Sequence, residues 1–90
     1  MYQSDILEVG DEANYYEDGA HWRVRLKSKV EKGKTMHLTF KVLEVFKAPF
    51  HGGVNPEVGS EINVCEVNGA GVNAGWSIDT HIGQRDTVIH

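Results

Sequence analysis

The sequence predicts an all-β domain of about five short strands, closed or nearly closed into a small barrel. Three observations carry that expectation. Residues 20–30 alternate strictly between apolar and basic side chains, residues 35–42 resume the alternation after a short glycine-containing break, and two Gly/Pro-rich stretches divide the rest into short apolar runs. A chain of 90 residues has room for one hydrophobic core, so the expected organisation is an acidic segment over 1–19 followed by one β-domain over 20–90.

The first element, Ala20 to Val30, sets Trp22, Val24, Leu26 and Val30 on one face and Arg23, Arg25, Lys27 and Lys29 on the other, which is the period of a half-buried strand. Glu31-Lys32-Gly33 then interrupts. Thr35 to Val42 follows with Met36, Leu38, Phe40 and Val42 on its apolar side, so the two read as a hairpin joined by a three-residue loop. Pairing Val30 with Lys34 brings the apolar faces together, with Leu26 opposite Leu38, Val24 opposite Phe40 and Trp22 opposite Val42. The same register puts Arg23 across from Lys41 on the outer face.

From Val42 to Phe46 both parities turn apolar, as expected of a strand that bends at a barrel corner. Trp22, Phe40 and Phe46 are the expected aromatic core. Residues 48–59 read as a loop, and Ser60 to Asn68 as a third strand with Ile62, Val64 and Val67 inward and Cys65 as a small core residue. After a second glycine-rich loop over 69–75, Trp76, Ile78, Thr80 and Ile82 make a fourth strand, and Asp86 to His90 a short fifth. At the other end of the chain, Ile6, Leu7 and Val9 suggest an edge strand, and residues 11–19 a helical turn or loop.

The segment Leu38 to Ala48, then Val58-Gly-Ser-Glu-Ile-Asn-Val64 and Ile82-Gly-Gln-Arg85, resembles the strand, loop and strand pattern of OB-like barrels. Within that group, the hairpin with its basic row is similar to small phage and bacterial single-stranded-DNA-binding proteins. The likeness covers about residues 20 to 88 and is one of core spacing and turns, so it implies a fold more than an activity. The acidic N-terminus and the net charge of -4 depart from the DNA-binding pattern.

Charge is sharply partitioned along the chain. Residues 1–20 hold six acids and no base, residues 21–50 hold eight of the nine Lys and Arg, and residues 51–90 are again acidic. A row of like charges on one strand face repels itself unless an anion lies over it. Arg23, Arg25, Lys27, Lys29 and Lys41 are therefore the candidate anion contacts. Tyr15, Tyr16 and Phe50, in or beside loops, are the candidate platforms for unpaired bases. Two other readings stand beside this one. The bases can solvate an exposed face or be covered by the chain's own acids; or the chain is a small phage-type accessory or inhibitor that docks on a larger protein through Asp11, Glu12, Glu17 and Asp18 and the long loops.

Catalysis and metal binding find little support in the pattern. His21, His37, His51, His81 and His90 show no close pair at ligand spacing, and Cys65 has no C-x-x-C partner, so neither a metal nor another cofactor is expected. Asp79 and His81 share a strand face, but no nucleophile has a recognisable setting beside them. The glycine-rich stretches lack the Lys-Ser/Thr and the helix of a phosphate-binding loop. No apolar run is long enough to cross a bilayer, and no basic, apolar leader opens the sequence, so a membrane or secretory role is not expected. One cysteine excludes an internal disulfide and fits a reducing, cytoplasmic setting. A free edge at either end of the sheet leaves homodimer formation open.

Overall fold

Five antiparallel strands in the order β4-β3-β2-β1-β5 form a single twisted sheet. The fold comes from a computed structural model, which describes residues 1–49 and 56–80. The strands are β1 (Glu12–Glu17), β2 (Ala20–Lys32), β3 (Thr35–Lys47), β4 (Glu61–Val67) and β5 (Ser77–Asp79), with short 3-10 turns at Gln3–Ile6 and Gly71–Ala74. The all-β class holds. Among the described residues β4 and β5 are the two edges and do not pair, so the sheet is open. The fifth strand expected over 86–90 lies outside the described residues, as do His51, Gly52-Gly53, His81, Ile82, Arg85 and the candidate Phe50.

The N-terminal segment departs most from expectation. Residues 12–17 are neither helical turn nor loop but the strand β1, which pairs with β2 on one side and β5 on the other. Its local signal is Asp18-Gly19, a two-residue hairpin turn in which both residues adopt positive φ, 50° and 82°. The run Ile6-Leu-Glu-Val9 is not an edge strand. Leu7 turns into the core, while Ile6 and Val9 stay exposed. A boundary at residue 19 therefore divides one core, because Tyr2, Leu7, Ala13 and Tyr15 are buried together with Trp22, Phe40 and Trp76.

Tyr15 is the centre of that core. Its ring stacks on Trp22 at 5.3 Å, on Trp76 at 5.8 Å, and meets Phe40 at a tilt of 59°. Each such fully buried large side chain contributes roughly 1.5–3 kcal/mol of transfer free energy. The hydroxyl of Tyr15 donates to Glu17 Oε1 at 2.6 Å, which gives the buried polar tip an acceptor.

Three bulges set the β2–β3 register and correct the pairing expected from the sequence. The connecting turn holds two residues, Gly33-Lys34, not three, and Lys32 pairs with Thr35. Gly33 supplies the positive φ of 62° that the turn requires. Lys27 is then an extra residue on β2, between Leu26↔Phe40 and Ser28↔Thr39, and it reverses the in-and-out alternation. Upstream of it Trp22, Val24 and Leu26 face the core as expected, whereas downstream Val30 is 48% exposed and Lys29 and Glu31 take the inner parity.

Two further extra residues, Leu43 and Phe46 on β3, lie where the sequence turns apolar on both parities. That stretch carries both β3 bulges, but Phe46 ends up on the outer face, 40% exposed, and is not core. On β4, Ile62 and Val64 pack against the core, whereas Val67 and Cys65 face outward. Pairing with β3 dictates this, since Cys65 sits opposite His37 and Val67 opposite Thr35 on the outer parity.

Candidate nucleic-acid interface

Outward-facing residues of β1, β2 and β3 form cross-strand rows because neighbouring strands align residues of one parity. One row runs Asp79, Asn14, Arg23 and Glu44; the next runs Glu12, Arg25, Lys41 and Glu61. In both, acids flank the bases. Arg25 Nη2 donates to Glu12 Oε2 at 2.8 Å, both side chains remaining well exposed. Arg23 does not oppose Lys41: the two-residue turn and the Lys27 bulge set Arg25 opposite Lys41, and the bulge at Leu43 then sets Arg23 opposite Glu44.

Lys29 leaves the basic row altogether. Its Nζ donates to the carbonyls of Ser4 and Leu7, at 2.9 and 2.8 Å, and so holds the last turn of the N-terminal 3-10 segment. At the other end of that segment the buried Glu66 carboxylate accepts the backbone N–H groups of Gln3 and Ser4. A carboxylate on the first N–H groups and an ammonium on the Ser4 and Leu7 carbonyls clip the turn at both poles. Lys29 is thus a structural residue. Lys27 is exposed in its bulge and Lys41 is half-buried.

Aromatic candidates divide similarly. Tyr15 is fully buried and has no face to offer a base. Tyr16, its neighbour, points outward and is half-buried. It stacks on His21 at 4.7 Å, and His21 in turn meets Phe46 at 4.7 Å. Tyr16, His21 and Phe46 therefore make a continuous aromatic row across β1, β2 and β3. Phase reversal at the β3 bulges hides this row from the sequence. Burial, and then the hydrogen bond to Asp79, raise the Tyr16 phenol above its ordinary value, so the ring stays neutral well into the alkaline range.

Arg23 borders the aromatic row. Its guanidinium carbon lies 5.8 Å from the Phe46 ring centroid, and its Nε and Nη2 are buried without a hydrogen-bond partner among the described residues. Those two nitrogens present parallel N–H groups, the fork that matches the two free oxygens of a phosphate or carboxylate. Leaving both unmade costs free energy that an anion would recover.

The acids proposed for a protein partner are also engaged within the chain. Glu12 holds Arg25, Asp11 Oδ2 accepts the Glu8 N–H, Glu17 accepts the Tyr15 hydroxyl, and Asp18 forms the β1–β2 turn. Among the described residues no three His, Cys, Asp or Glu side chains gather closely enough to hold a metal ion. Nor is any described helix long and apolar enough to cross a membrane. Comparison with protein-family models, curated proteins and solved structures gives no match to this chain.

Proposed function

We propose that this chain is a non-catalytic binding protein that takes single-stranded nucleic acid across the outer face of β1, β2 and β3. The row Tyr16–His21–Phe46 with the buried, unpaired guanidinium edge of Arg23 beside it carries this reading. Unpaired bases stack on aromatic faces whatever their sequence, and a phosphate between them needs a bidentate donor. Lys41 and Lys27 extend the positive potential along the hairpin, whereas Arg25 is half neutralised by Glu12. An OB-like relationship belongs to the same proposal. The Trp76 indole donates to the Cys65 carbonyl at 3.0 Å, which brings the residue just before β5 against the β4 edge, as closure of a barrel requires. The cytoplasm is the proposed setting, on the single cysteine.

The test is fluorescence anisotropy of a labelled oligothymidine at low and at physiological salt. Binding should weaken steeply with salt, and Phe46→Ala and Arg23→Gln should each reduce affinity about tenfold. Absence of binding at low salt, or affinity in both variants as high as in the unaltered protein, sinks the reading.

A further inference from the structure

Beyond the Lys27 bulge the outer face has a different chemistry. Ser28, Val30 and Lys32 on β2, His37 on β3, and Asn63 and Cys65 on β4 line a trough of about 470 Å³. The register accounts for it. Val30, His37 and Cys65 form one cross-strand row and Ser28, Thr39 and Asn63 the next, with Thr39 Oγ1 donating to Asn63 Oδ1 at 2.8 Å. Val30, 48% exposed, is the large apolar side chain open in its lining, and Val67, one row beyond it, is 55% exposed. The one aromatic ring in its lining is the His37 imidazole; no Phe, Tyr or Trp lines it.

The rim is cationic. Lys27 stands at one end, Lys32 along the side and Lys34 in the turn at the other end. Among the described residues none of the three has a carboxylate within salt-bridge distance. Acids at this end of the hairpin point the other way. Glu31 accepts the Tyr2 hydroxyl on the inner side, and Glu66 is buried under the N-terminal turn. The trough is therefore the part of the outer face where positive charge is least compensated, even though the whole chain is negative.

We infer that this trough is a docking surface for an extended acidic segment of a partner protein. Charge complementarity selects the acids, and the exposed Val30 selects an apolar side chain between them. With the His37 imidazole as its single ring, the trough lacks the run of platforms on which successive bases stack, which distinguishes it from the three-ring row at the opposite end. From Lys27 to Lys32 the strand spans about 16 Å, the length of about five residues of extended chain. The segment lies on the face and does not extend the sheet, because the Cys65 carbonyl at the β4 edge already accepts the Trp76 indole. The expected partner is thus acidic, opposite in sign to the basic one that the chain's own acids suggest. This inference does not rest on the nucleic-acid reading.

The probe is a fluorescein-labelled peptide of about seven residues, glutamates around one central leucine, titrated with the intact protein. Anisotropy gives affinity, and amide chemical-shift mapping locates the site. Binding should shift the amides of Val30, His37 and Cys65, and should weaken about tenfold in Lys32→Glu and in Val30→Asp, whose positions are exposed and whose urea midpoints report folding separately. Retained affinity in both folded variants overturns the proposal, as does failure of the peptide to bind. Displacement of the peptide by oligothymidine with the same Lys32→Glu sensitivity assigns the trough to nucleic acid and overturns it equally.

Discussion

The β2 strand on either side of Lys27 carries the same kinds of residue and puts them to opposite uses. Before the bulge, Arg23 and Arg25 face outward, and each has one acid beside it on a neighbouring strand, Glu44 and Glu12. After it, Lys29 turns inward to hold the N-terminal turn, while Val30 turns outward to floor a trough. One extra residue thus reassigns every side chain that follows, because strand parity has a period of two and no tolerance for a single insertion. A count of bases along a strand therefore says little about the charge on a face.

That contrast is sharpest between Lys29 and Lys27. Replacing Lys29 by Met leaves the Ser4 and Leu7 carbonyls without their charged donor and should cost about 2 kcal/mol in urea unfolding. The same replacement at Lys27 should stay within about 0.5 kcal/mol. Equal losses at the two positions would mean that both lysines serve the same face and that the phase reversal is wrong.

Tyrosines extend the comparison to pH. Burial, followed by hydrogen bonds to carboxylates, raises the phenols of Tyr2, Tyr15 and Tyr16 above the ordinary 10.0. Each group is neutral in the fold, and above that value the unfolded chain loses its proton first. Stability is then full below about pH 10 and falls as pH rises toward the folded-state values. In Tyr15→Phe the alkaline fall should be shallower, at an expense of about 1 kcal/mol at neutral pH for the lost bond to Glu17. An unchanged slope of urea midpoint against pH would show that Tyr15 is not the buried phenol responsible.

The smallest effect is expected on the outward, charge-balanced side. Glu12→Gln removes the carboxylate from an exposed Arg25 and should cost no more than about 0.5 kcal/mol, a difference that added salt erases. It should also tighten oligothymidine binding slightly, since Arg25 is then no longer neutralised. Weaker oligothymidine binding in this variant would argue that the face uses Glu12 itself.

How much could be read in advance follows from the same physics. Alternation over residues 20–26 and 36–42 identifies the core of the two central strands, and the doubly apolar stretch near Val42 coincides with the two β3 bulges. Residue type and alternation alone put Phe46, Val30, Val67 and Cys65 on the inner side, and the structure puts them outside, because nothing in their immediate sequence shows a bulge or the parity of a partner strand. β1 was missed although Asp18-Gly19 is a hairpin signal, since acids and tyrosines obscured the alternation in Glu12–Glu17.

Taken alone, the sequence determined that this chain is all-β, that Trp22, Val24, Leu26, Met36, Leu38, Phe40 and Val42 are buried, and that its bases crowd into one third of its length. These are local properties, set by residue type and a period of two. Only the tertiary structure decided which bases are free. It brought Glu12 to Arg25, the Ser4 and Leu7 carbonyls to Lys29, and Tyr16, His21 and Phe46 into one row. Each contact joins residues on different elements, and bulges whose positions depend on cross-strand packing determine which side chains meet.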